Sequence, residues 1–161
     1  MRVQNTFIFL DIDGVLNSSP YMDRVRHKKG FCEINEDNVR ILSELYHRYN
    51  AKIVLSSTWR ELSERHPMYI YLEECLRKYN MHIYAKTPYV HEDRPLEIVT
   101  WLRIHAYKGD KIIILDDDFS KADYLRYSLD KCVIHTLFYC DTEKEGGLQY
   151  FHLEKLELEE Y

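Results

Sequence analysis

The chain has 161 residues, 45% of them hydrophobic and 30% charged, with a formal net charge of −5. That length suits one domain with its own core and leaves little room for a second, and the composition is that of a soluble globular protein. The negative balance argues against a general nucleic-acid coat protein, although a local basic patch is compatible with it, and no apolar run reaches membrane-spanning length.

Met1 to Asn5 leads towards a strand without the apolar stretch of a signal peptide, so a cytoplasmic location is expected. The apolar run Thr6 to Leu10 predicts the first strand, and a polar, basic loop from Asn17 to Cys32 follows. The first helix is predicted from the cap Asn35, the acids Glu36 and Asp37 in its first turn, and apolar positions at Val39, Leu42, Leu45 and Tyr49. Asn50 suits its end. Lys52 to Ser56 reads as a buried strand and residues 68–79 as a helix with Met68, Leu72, Cys75, Leu76 and Tyr79 on one face.

A short strand is expected at His82 to Ala85. The next helix has Pro95 in its first turn, Ile98, Trp101, Leu102 and His105 facing inward, and Gly109 at its end. Ile112 to Leu115 is the strongest candidate for a central strand. Ser120, with Asp123 as its box partner, predicts a helix through Leu129. Cys132 to Phe138 reads as a fifth strand, and the acidic tail from about Gln149 to Glu160 as a short helix. Alternation of strand and helix predicts an α/β fold: a Rossmann-like, three-layer α/β/α sandwich with a central parallel sheet of about five strands, as one domain over residues 1–161.

Cys32, Cys75, Cys132 and Cys140 have neither metal-finger nor redox-motif spacing and read as free thiols. The 14 tyrosines read as fillers of half-buried positions, with a binding surface lined by Tyr69, Tyr71, Tyr79, Tyr84 and Tyr89 as the other reading.

The chemistry concentrates where strands end. Asp11-Ile12-Asp13-Gly14-Val15-Leu16-Asn17 follows the first strand, Ser56 and Ser57 the second, and Asp116, Asp117 and Asp118 follow Leu115. In a parallel sheet with right-handed crossovers these ends share one edge, where open α/β sheets bind ligands. Carboxylates gathered there repel one another unless a cation lies among them, and a hard dication with oxygen ligands, magnesium above all, fits that need.

In these motifs the chain resembles the haloacid-dehalogenase-like (HAD) superfamily of phosphatases. The resemblance rests on the Asp11-x-Asp13-Gly14 motif after an apolar strand, the strand ending in Ser56-Ser57, and the paired acids of Ile114-Leu115-Asp116-Asp117. More narrowly, Leu55-Ser56-Ser57-Thr58-Trp59-Arg60 and Glu97-Ile98-x-x-Trp101-Leu102 resemble a subgroup that includes the phosphatase-like domains of predicted RNA-repair proteins.

The resemblance implies a magnesium-dependent phosphomonoesterase. Asp11 would be the nucleophile that forms an aspartyl-phosphate, and Asp13 the acid and base. Ser57, or else Ser56, would bond the phosphoryl oxygen. Asp11, Asp13, Asp116 and Asp117 are the implied magnesium set. Asp118 reads as a solvated loop acid.

The third family motif is usually a lysine, and here the chain departs from the pattern. Arg94, at the start of a helix, is the candidate cation, with Lys86 the alternative. Arg60, Thr58 and Lys86 are candidate substrate-binding residues, Arg60 competing with a structural pairing to Glu61 or Glu64. Trp59 reads as packing, with base stacking as the other reading. Residues 18–34 correspond to the squiggle and flap of the family, a minimal cap with the basic cluster Arg24, Arg26, His27, Lys28 and Lys29. An open site of this kind suits bulky substrates such as nucleic-acid ends or phosphoproteins, and the expected partner is a phosphorylated substrate, a nucleotide or an RNA or DNA end. The rival expectation is a catalytically weak or inactive binding module for nucleic acid or protein. The oligomeric state is left open.

Overall fold

The computed structural model describes residues 2–154 and 156–161. Met1, in the expected leader-free N-terminus, and Lys155, in the expected tail helix, lie outside the described residues. The sheet contains β1 (Thr6–Leu10), β2 (Lys52–Leu55), β3 (Ile83–Lys86), β4 (Lys111–Asp116) and β5 (Val133–His135). These five run parallel in the order β3-β2-β1-β4-β5. A sixth strand, β6 (Glu159–Glu160), pairs antiparallel with the start of β4.

The helices are α1 (Ser19–Val25), α2 (Glu36–Arg48), α3 (Pro67–Arg77), α4 (Arg94–His105), α5 (Lys121–Leu125) and α6 (Tyr150–Leu153). Successive side chains of a strand point to opposite faces, so each inner strand feeds two cores. Ile8, Leu10, Ile53, Leu55, Ile113 and Leu115 pack with Leu42 and Leu45 of α2 and Leu72 and Leu76 of α3. Phe7, Phe9, Val54, Ile112 and Ile114 pack with Ile98, Trp101 and Leu102 of α4 and Tyr124 of α5. This is the expected three-layer α/β/α sandwich, and among the described residues no cap domain interrupts it.

Local chemistry sets the helix ends. Asn35 caps α2 by accepting from the backbone N–H of Asp37 at 3.0 Å, and Asn50 ends it in the left-handed region at φ 46°. Asp93 caps α4 by accepting from Leu96 N–H at 3.2 Å, with Pro95 in the first turn. That cap fixes the direction in which Arg94, the first helical residue, leaves the backbone.

Four expectations are corrected. The loop from Asn17 to Cys32 contains α1: Tyr21 and Val25 are buried, and the Tyr21 hydroxyl lies 2.7 and 2.9 Å from the carbonyls of Cys32 and Ile34. The helix predicted from Ser120 to Leu129 stops at Leu125, because Ser128 turns left-handed (φ 58°) and Leu129 N–H folds back onto the Tyr124 carbonyl. Its predicted box forms, with Asp123 accepting from Ser120 N–H at 2.7 Å. The fifth strand is shorter than Cys132 to Phe138, since its partner β4 ends at Asp116. The tail forms the short α6 and then β6, held where Tyr161 and the Gly109–Asp110 turn exchange backbone hydrogen bonds. Among the described residues no helix is long and apolar enough to cross a membrane.

Candidate active site

Register brings three of the expected site residues together. Leu10 lies beside Leu55 of β2 and Leu115 of β4, so the next residues, Asp11, Ser56 and Asp116, emerge side by side at the carboxyl edge. Asp11 N–H donates to the Leu115 carbonyl at 3.3 Å and Ser56 N–H to the Leu10 carbonyl at 3.0 Å. Two residues earlier, Phe9, Val54 and Ile114 face α4. By strand alternation Asp11, Ser56 and Asp116 lie towards that same layer, where Arg94 begins its helix.

Arg94 is buried between two carboxylates. Its Nη1 is 3.0 Å from Asp11 Oδ2 and 2.9 Å from Asp116 Oδ1. Burial alone would lower the arginine pKa, but Asp11 and then Asp116 outweigh it and raise the pKa, so the cation is fixed. Lys86, the alternative, lies 3.7 Å from Glu64 and 4.3 Å from the centre of the Tyr69 ring. Arginine is therefore the cation brought to the acids.

Asp116 is fully buried, and both of its oxygens accept hydrogen bonds. Its Oδ1 also accepts from the backbone N–H groups of Asp118 at 2.9 Å and Phe119 at 3.2 Å, and its Oδ2 accepts from the Tyr124 hydroxyl at 2.7 Å. Burial, then the Asp116 charge, raises the Tyr124 pKa, so the phenol stays a donor.

Asp117 differs. Its Oδ1 is buried and has no hydrogen-bond partner among the described residues. One carboxylate oxygen each from Asp11, Asp116 and Asp117 can be chosen so that all lie within 4.8 Å of one another. Burial, above all, raises the pKa of Asp117 to about 6, against a side-chain hydrogen bond with Asp11 that lowers it and with the Asp118 and Asp116 charges adding to the rise. Burial likewise raises that of Asp11, against the pull of Arg94 and with Asp117 and Asp116 reinforcing it. An orphaned buried carboxylate oxygen beside two further acids fits a hard dication. Gly14 makes the approach possible: at φ 83°, a Cβ there would lie 2.1 Å from Asp117 Cγ.

Asp13 is exposed and stands outside that group of three. Asn17 Nδ2 donates to its Oδ1 at 2.9 Å and the Trp59 indole N–H to its Oδ2 at 3.3 Å. Asn17 also accepts from Gly14 N–H at 2.8 Å and donates to the Glu33 carbonyl at 2.8 Å, locking the turn.

The two serines are separated by their partners. Ser57 Oγ accepts from Trp59 N–H at 3.2 Å, capping the 3-10 turn Thr58–Glu61. Ser56 Oγ is buried with no partner among the described residues. Arg60 turns inward: its Nη1 donates to the Ser57 carbonyl at 2.9 Å and the Ser56 carbonyl at 3.2 Å, and its Nη2 to Glu97 at 2.8 Å. Its partner is thus neither Glu61 nor Glu64. Thr58 is exposed at the mouth of a cleft of about 300 Å³ that also takes in Asp11, Asp13, Arg94, Asp117 and Tyr139.

Sequence reasoning gave no role to Asn17, Tyr124 or Tyr139, and read Trp59 as packing or stacking. Asn17 carried a local signal, four residues after Asp13 within one motif. Tyr124 and Tyr139 reach the site through the fold alone.

No curated protein and no solved structure matched the chain. The family model described as the HAD domain in Swiss Army Knife RNA repair proteins matches residues 7–143, from β1 through the loop after β5, and the chain belongs to that family.

Proposed function

We propose that the protein is a magnesium-dependent phosphomonoesterase working through an aspartyl-phosphate on Asp11, with a phosphorylated nucleotide or nucleic-acid end as substrate. The observation that carries this reading is the pairing of Asp11 and Asp116 with one buried arginine, next to Asp117 with its unpartnered oxygen.

In this reading an Asp11 oxygen attacks phosphorus while the bond to the leaving oxygen breaks. Asp13, open to the cleft and oriented by Asn17 and Trp59, protonates the leaving oxygen. Asp13 then takes a proton from water, the water oxygen attacks phosphorus, and Asp11 is restored as inorganic phosphate forms. Arg94 holds phosphoryl oxygens and keeps Asp11 in place. Between the serines the hydrogen bonding favours Ser56, whose hydroxyl is free to donate, over Ser57, which caps the turn. Arg60 supports the Ser56–Ser57 backbone and Lys86 stands with Glu64, so neither is assigned to the transferring phosphate.

Asp11, Asp116 and Asp117 would hold magnesium, which when bound supplies positive charge against the phosphoryl oxygens. The carboxylate of Asp13 is left to the proton. The substrate class rests on the family and on the open cleft.

Hydrolysis of an aryl phosphate with and without magnesium tests the reading. Magnesium-dependent turnover lost in Asp11→Asn supports it and excludes a module that only binds. Turnover that survives Asp11→Asn overturns it.

A further inference from the structure

The most exposed large aromatic side chain among the described residues stands at the site. Tyr139 is 83% exposed, yet it lines the same cleft as Asp11 and Arg94. Its ring is held edge-on by Phe138, with centroids 4.9 Å apart and planes at 86°. A large ring held by a neighbour and left open to water beside a phosphate site is a surface on which a flat group can lie. Every base has such a face, so stacking of this kind is tolerant of sequence.

Two regions that adjoin the cleft differ in charge. On one side Thr58, Arg94 and Asp118 are shared with a second groove of about 350 Å³, which contains Tyr89 but also the exposed acids Glu61 and Glu92. With Asp118 that makes three exposed carboxylates, a poor path for a polyanion. Tyr139 and Met22 of α1 line the cleft but not that groove. Arg26 lies four residues after Met22, on the same face of α1 as it ends, and is followed by His27, Lys28 and Lys29, all exposed. Arg24 is taken up by Glu143 and does not count. Asp141 and Glu145 follow Tyr139 in the chain but do not line the cleft.

We infer that Tyr139 is the stacking platform for the terminal base of a single-stranded nucleic acid whose end phosphate lies at Asp11, and that the strand leaves the cleft over Arg26, Lys28 and Lys29 rather than past Tyr89. This rests on the phosphatase reading of the cleft and names the substrate and its direction. A strand on this path stacks on one ring and neutralises its following phosphates on the basic segment, so its binding weakens with salt.

Binding of fluorescent single-stranded RNA decamers, phosphorylated at the 5′ end in one arm and the 3′ end in the other, tests this by anisotropy. The Asp11→Asn chain with magnesium and the wild-type chain with chelator both prevent turnover. The phosphorylated end that binds should lose about tenfold in affinity in Tyr139→Ala, as expected for one base stack. Tyr139→Phe should retain it and Tyr89→Ala should leave it unchanged. Lys28→Ala with Lys29→Ala should flatten the dependence of log affinity on log salt by about 0.7 for each phosphate no longer neutralised. Unchanged affinity in Tyr139→Ala, equal losses in Tyr139→Ala and Tyr89→Ala, or no binding of either decamer overturns the inference. Aryl phosphate hydrolysis, measured separately, distinguishes the two ideas. An active enzyme whose RNA binding ignores Tyr139 keeps the phosphatase reading and loses this one. An inactive chain that binds RNA through Tyr139 loses the phosphatase reading and keeps the stacking contact.

Discussion

Arg60 and Glu97 form a buried ion pair, 2.8 Å apart, with side chains only 7% and 3% exposed. Arg60 also donates to the carbonyls of Ser56 and Ser57, and Glu97 also accepts from Val90 N–H at 2.9 Å. The pair therefore ties the end of β2, the loop before α4 and α4 itself into one frame, with Ser56 on one side and Arg94 on the other.

Breaking that pair from one side leaves a buried charge without a partner. Arg60→Ala should cost about 3–5 kcal/mol in urea unfolding. Arg60→Lys should recover little, because an ammonium cannot reproduce the two-pronged contact to Glu97 and the carbonyls. If Arg60 instead bound a second substrate phosphate, its loss would raise KM for oligonucleotides and leave stability alone.

The two serines should separate by readout. Ser56→Ala removes the unpartnered hydroxyl, so kcat should fall about 100-fold with the urea midpoint unchanged or higher. Ser57→Ala removes a cap, so stability should fall by about 1 kcal/mol while kcat changes much less. The opposite pattern would assign the phosphoryl contact to Ser57.

Trp59 joins packing to chemistry through its indole N–H on Asp13. Trp59→Phe keeps the buried ring and deletes that donor. Asp13 matters most when the leaving oxygen needs a proton. Turnover of an alkyl phosphate should therefore fall about tenfold, and that of an aryl phosphate with a good leaving group should fall less. Equal losses on the two substrates would show that Trp59 acts through packing.

These relationships also show what the sequence could reveal. Strand ends were legible because apolar runs stop at acids or serines, and parallel register then forces Asp11, Ser56 and Asp116 to one edge. Arg94 was legible from Pro95, which marks the helix start. The choice between Ser56 and Ser57 was not, since it depends on which hydroxyl the 3-10 turn consumes. Neither was the Arg60–Glu97 pair, whose members lie on different elements and meet only through packing of α4 against the sheet. The α1 helix was missed because its short sequence buries only Tyr21 and Val25, too few positions for a periodic signal.

Asp117 gives the metal-free protein a pH dependence whose sign follows from its burial. Burial raises its folded pKa from 3.8 to about 6, so between those values the folded state binds more protons at this site than the unfolded state. Its contribution to stability is full below 3.8 and is lost as pH rises through about 6. Asp117→Asn should remove that part of the decline, measured by urea unfolding in chelator across the window. Above about pH 6 the ionised acid should instead favour magnesium, so addition of the ion should raise Tm in the wild-type chain and much less in Asp117→Asn. Gly14→Ala should weaken the magnesium response too, because its Cβ would collide with the Asp117 carboxyl group. A magnesium-induced rise in Tm that persists undiminished in Asp117→Asn would place the cation elsewhere.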